Sequence, residues 1–82
     1  MVKRYELEAT FRAMLCGAAL RKVGSDAQVG RMLGYKIVKG KRFRELMNGT
    51  TKTVSFQQLE ILSEITGIPL KKILFYSKPR NV

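Results

Sequence analysis

Between Lys36 and Arg44 the chain reads KIVKGKRFR, with Lys36, Lys39, Lys41, Arg42 and Arg44 and no acidic residue among them. Such a run is either a solvated basic loop or a working surface for a polyanion. Lysine ammonium groups neutralise phosphates, the contribution that dominates nucleic-acid affinity. An arginine can donate two hydrogen bonds to a guanine edge, and a glutamate such as Glu45, just past the run, can accept from cytosine. The residues that other chemistries need are scarce. There is no histidine, so the commonest general base is missing, and a His/Cys metal cluster cannot form around the single Cys16. No G-x-x-x-x-G-K-[ST] phosphate loop is present. The six carboxylates show no paired arrangement in a plausible cleft. The sequence therefore predicts neither an enzyme nor a metal site nor a cofactor.

The whole chain has the same bias. Sixteen Lys and Arg against six Asp and Glu give +10 over 82 residues, a charge that attracts polyanions and limits self-association. Nucleic acid is the first partner class it suggests, an anionic membrane the second and an acidic protein the third. A single cysteine permits no internal disulfide and fits a reducing compartment. No apolar run reaches the roughly 18 residues of a membrane span. Glu6, Glu8 and Arg12 interrupt any signal-peptide core. The expected location is the cytoplasm. The length suits one domain.

The elements that must position the basic run are helices. In YELEATFRAMLCGAALRKVG, Leu7, Phe11, Met14, Leu15 and Ala18 recur at three- and four-residue steps and predict one apolar stripe. Arg21 and Lys22 complement its C-terminal dipole and Gly24 stops it, while Gly17 offers a place for close helix packing. Ser25 with Gln28 predicts a capping box for a short second helix, which carries Val29, Met32 and Leu33 inward and ends at Gly34. After the basic run, Phe43, Leu46 and Met47 share one face of a third helix closed by Gly49. Ser55 with Gln58 forms another capping box, and Val54 with Leu59 a hydrophobic staple, for a fourth helix lined by Leu59, Leu62 and Ile65 and closed by Gly67. Pro69 opens a short fifth helix with Ile73 and Leu74 inward. No segment alternates strongly enough to predict a strand. The expectation is all-α, one compact domain over 1–82 with five helices and loose ends at 1–4 and 77–82. Lys3 and Arg4 form either a loose end or a short DNA-reaching arm.

The second and third helices carry the functional reading. Gly30 provides a small residue where the two must cross, Gly34 tolerates a turn, and Phe43 and Leu46 give the third helix an inner face. Val29-Gly30-Arg31-Met32-Leu33-Gly34 stands where a Leu-Ala-x-x-Leu-Gly pattern is found in the lambda-repressor-like (Xre-type) helix-turn-helix family. Met47-Asn48-Gly49 matches the last two residues of that family's Glu-Asn-Gly signature. SFQQLEILSEITGIPLKKIL, Ser55 to Leu74, is similar to its fourth and fifth helices. The chain thus resembles this family over Ser25 to Leu74. It departs from it in a turn three residues longer, within YKIVKGKR, in Asp26 at a position where the family often has a phosphate-contacting Gln, and in Lys71 and Lys72 where acidic residues are common.

The resemblance implies a sequence-specific double-stranded DNA-binding regulator, a small phage- or plasmid-type repressor or activator that binds as a homodimer. The third helix would enter the major groove. Lys41, Arg42, Arg44 and Glu45 are the candidate base-contacting residues. Gln28, Lys36, Lys39, Asn48, Thr50, Thr51 and Lys52 are the candidate phosphate contacts. Tyr35 either packs under the turn or directs its hydroxyl at a phosphate, and Glu45 either reads a base or pairs with Lys41. Two other functions are compatible with the fold. The module could be a protein-binding inhibitor or adaptor. It could also bind RNA, which ranks last because its aromatics fall mostly on core faces.

Overall fold

Ser55 and Gln58 close on each other as the sequence predicts. The Gln58 N–H donates to Ser55 Oγ at 3.1 Å, and the Ser55 N–H donates to Gln58 Oε1 at 2.9 Å. That reciprocal cap starts a helix at Phe56. A computed structural model describes residues 3–36 and 40–81. In chain order it contains strand β1 (Lys3–Leu7), helices α1 (Ala9–Val23), α2 (Asp26–Met32), α3 (Lys41–Asn48), α4 (Phe56–Thr66) and α5 (Leu70–Phe75), and strand β2 (Ser77–Asn81). The five helices are those expected, but the protein is not purely all-α.

The correction lies at the two ends. β1 and β2 pair antiparallel, Lys3 opposite Asn81 and Leu7 opposite Ser77. Lys3, Arg4 and Ser77–Asn81, expected to be loose, therefore belong to a ribbon. Leu7, assigned by its spacing to the first helix, is buried from a strand instead, and α1 starts only at Ala9, capped by the Glu8 carboxylate on the Thr10 and Phe11 N–H groups. Arg4 is not a free arm: its Nε and Nη2 donate to Thr53 Oγ1 and the Thr53 carbonyl at 3.0 and 3.1 Å.

On its other side β1 meets Val54, with which Tyr5 exchanges both backbone hydrogen bonds, at 2.8 and 2.9 Å. The N–H and C=O of Tyr5 thus point away from β2. Its partner across the ribbon, Pro79, must by the alternation of an antiparallel ladder turn its own backbone to the open edge. Proline has no N–H to offer there, which blunts the edge against a further strand.

The core is Phe11, Leu15, Cys16 and Ala19 of α1, Val29 and Leu33 around α2, Phe43 and Leu46 of α3, and Leu59, Leu62 and Ile73 behind them. Val54 and Leu59 are both buried, as the staple requires. Met14, expected on the apolar stripe, is 42% exposed, because α1 turns Phe11, Leu15 and Ala19 inward and leaves Met14 on their flank. Among the described residues a Cβ on Gly17 would meet only the Arg21 side chain, so no described helix packs on it. The Ser25 cap of α2 is one-sided: Ser25 Oγ accepts the Gln28 N–H at 3.4 Å.

Candidate nucleic-acid interface

α3 lies across α2, with Gly30 facing Phe43 and Gly40. A Cβ on Gly30 would stand 3.8 Å from Phe43 Cβ and 3.9 Å from Gly40 Cα, ordinary contact distances. The crossing needs a small residue at position 30 but not specifically glycine. Position 40 is more demanding. Gly40 has φ +79°, and a Cβ there would lie 2.5 Å from Asp26 Oδ1 and 2.8 Å from the Ala27 nitrogen. The glycine lets the first turn of α3 sit directly on the first turn of α2.

Phe43 and Leu46 are buried and Met47 is half-buried, which fixes the rotation of α3. At 100° per residue the outward centre of the helix is then Lys41, Glu45 and Asn48, with Arg42 and Arg44 on the two flanks. Lys41, Arg42, Arg44 and Asn48 are exposed and Glu45 is half-exposed. Both arginines are engaged within the protein. Arg44 Nη1 donates to Asp26 Oδ2 at 2.6 Å. The Arg42 guanidinium lies 5.0 Å over the Tyr35 ring and its Nε stands 3.7 Å from Glu45 Oε1. Glu45 therefore pairs with Arg42 rather than with Lys41.

Tyr35 is half-buried and packs against the core. Its hydroxyl is buried beside the Gln58 side chain. Burial pushes its pKa up, an effect that the Arg42 charge and the Gln58 contact partly offset. The ring is a platform for the Arg42 guanidinium.

The electrostatics at the start of α3 are unfavourable for an isolated helix. Gly40 provides no side-chain cap and the first turn contains no acidic residue. Lys41, Arg42 and Arg44 instead place positive charge at the positive end of the helix dipole. Asp26 offsets part of this from α2. An external anion would offset more.

The remaining candidates fall into two groups. Gln28 and Lys36 are exposed, Gln28 on α2 and Lys36 just beyond Gly34. Asn48, Thr50, Thr51 and Lys52 continue from the end of α3. Asn48 Oδ1 accepts the Thr50 N–H at 2.9 Å, and the Thr51 N–H donates to the Glu45 carbonyl at 3.0 Å. Asn48, Thr50 and Lys52 are exposed, whereas Thr51 is half-buried. Lys39 lies outside the described residues. Sequence reasoning did not find the roles of Asp26 and Tyr35, which hold the two arginines, or of Arg4, which ties Thr53.

No protein-family model, curated protein or solved structure matches this chain. The functional reading therefore rests on the residues and their placement. Among the described residues no helix is long and apolar enough to cross a membrane.

Proposed function

We propose that this protein is a sequence-specific double-stranded DNA-binding regulator of the lambda-repressor-like helix-turn-helix kind, which lays the outer face of α3 in the major groove. The observation that carries the proposal is the first turn of α3. An uncapped helix start bears three cations, faces outward, and is seated on a bracing helix in a chain of charge +10. A phosphate backbone relieves that charge concentration and releases counterions in doing so. Lys41, Glu45 and Asn48 form the centre of the reading face. Arg42 and Arg44 exchange Tyr35 and Asp26 for base edges as the complex forms, while Gln28, Lys36, Thr50 and Lys52 meet phosphates. One module spans only a few base pairs, so two copies bind paired half-sites one helical turn apart.

The test is duplex binding by fluorescence anisotropy across a salt series, comparing DNA that flanks the protein's own gene with a scrambled duplex. A preference that persists near physiological salt supports a specific regulator. Equal binding that vanishes with salt reduces the surface to a nonspecific electrostatic one.

The internal engagement of both arginines also favours a second reading, in which the module serves as an inhibitor or adaptor docking on an acidic protein partner. Removal of the preferred duplex site separates the two: biological activity that survives its loss selects the adaptor.

A further inference from the structure

A pocket of about 600 Å³ opens beside the C-terminal end of α3, between the start of α1 and the β1–β2 ribbon. That volume suits a small ligand. Arg12, in the first turns of α1, lines it and lies against Gly49: a Cβ on Gly49 would be 2.7 Å from Arg12 Nη2. Arg12 Nε is buried and has no hydrogen-bond partner among the described residues. An atom so buried is out of a ligand's reach, so the guanidinium would meet one through its Nη groups, which make no hydrogen bond among the described residues.

The charges around the pocket point the same way. Lys52 and Lys78 line it and pair with no carboxylate among the described residues. Two carboxylates also line it, but both are already committed. Glu6 accepts from Arg80 Nε at 3.0 Å, and Glu8 caps α1. Asn48 spends Oδ1 on the Thr50 N–H, which leaves its Nδ2 group as a donor. Phe75, which also lines the pocket, is 80% exposed and meets Tyr76 edge-on at 5.1 Å.

The excess of donors and positive charge calls for an anion with several acceptor oxygens, and the exposed ring for a flat carrier. A phosphate monoester has three strong acceptor oxygens and close to two charges at neutral pH, and an aromatic base can stack on Phe75. We propose that this pocket binds a phosphate ester attached to an aromatic base, with Arg12 as its principal ligand. The phosphate comes either from a free nucleotide or from a nucleic-acid strand passing the end of α3. The proposal does not require the major-groove reading, because its first arm contains no nucleic acid.

The full chain is titrated with adenosine monophosphate and, separately, with adenosine at constant ionic strength. Chemical shifts are followed at the Arg12 side-chain Nε–H and the Gly49 amide. The expected result is a saturable shift with the nucleotide below about 10 mM and none with adenosine. Arg12→Gln and Lys78→Gln should each weaken it severalfold, and Lys22→Gln, near the far end of α1, should leave it unchanged. Lys78 is exposed, so that variant keeps the test valid should Arg12→Gln fail to fold. If the nucleotide gives no saturation but a short duplex shifts Arg12 Nε–H, and Lys78→Gln removes that shift, the strand is the source. The proposal is overturned if neither ligand moves Arg12, or if Lys22→Gln weakens binding as much as Lys78→Gln.

Discussion

Asp26, the first residue of α2, holds the Arg44 guanidinium of α3 at 2.6 Å. The pair joins the helix expected to brace and the helix expected to read. It also occupies, before any ligand arrives, an arginine that the ligand would need. Both side chains are substantially exposed, so the pair itself contributes at most about 1 kcal/mol to stability.

Asp26→Asn should therefore separate binding from folding. Duplex affinity should rise roughly fivefold, since one negative charge leaves the interface and Arg44 loses a competing partner. Thermal or urea unfolding should register a loss of no more than about 2 kcal/mol, the sum of a surface pair and a helix-dipole contribution. A fall in duplex affinity would mean that Asp26 positions Arg44 for DNA rather than withholding it.

Arg44→Ala and Lys52→Ala should differ in kind. Loss of a base-reading arginine costs about 1–3 kcal/mol on the preferred duplex and little on random DNA. Loss of a phosphate-contacting lysine weakens all duplexes alike and lowers the salt slope by about one. Anisotropy with preferred and scrambled duplexes at several salt concentrations checks both. Equal losses on the two duplexes for Arg44→Ala would remove it from the reading set.

Three glycine-to-alanine substitutions should have different effects in chemical denaturation. Gly40→Ala combines a positive φ with a Cβ driven into Asp26 and the Ala27 nitrogen, and should destabilise by more than about 2 kcal/mol. Gly17→Ala and Gly30→Ala place the new methyl at 3.5 Å and 3.8 Å from its nearest neighbours and should stabilise by up to about 1 kcal/mol through helix propensity. A larger residue at position 30, such as leucine, should be strongly destabilising.

Cys16 predicts alkaline instability. The side chain is fully buried, and that burial pushes the thiol up to about 12 from 9.0, with Arg12 a smaller opposing influence. The folded state then holds a proton that the unfolded chain releases above pH 9. This contribution to stability is complete below pH 9 and is lost as pH rises from 9 toward 12, close to tenfold in the unfolding constant per pH unit. The unfolding midpoint measured at pH 8 and 10 should fall more for the native chain than for Cys16→Ala. At neutral pH a thiol reagent should label the folded protein only as fast as it opens.

Local signals in the sequence located the helices because their causes are local. Ser55 and Gln58 are three residues apart and cap each other, and Phe43 and Leu46 mark a helix face by spacing alone. The ribbon was not legible for two reasons. KRYEL offers only one turn of alternation, Tyr5 and Leu7, and Leu7 fits the helical stripe with Phe11 equally well. SKPRN contains no apolar residue to signal a buried face and carries a proline that argues against a strand. Its pairing with residues at the other end of the chain is non-local and leaves no trace in either segment. The same holds within the site. The basic run was legible as a charge pattern, but the Asp26–Arg44 pair and the Arg42–Tyr35 contact follow from how α2 and α3 cross, which no local pattern encodes.

Lys3 stands opposite Asn81 in the ribbon, within about 5 Å. Between these two residues the backbone is nearly a closed ring. A circular permutant that joins residue 81 to residue 3 through a few glycines, with new ends at the exposed Gly67 between α4 and α5, would keep the α2–α3 crossing and the ribbon intact. Left uncut, the same joined chain would be a cyclic protein whose unfolded state has fewer conformations to gain.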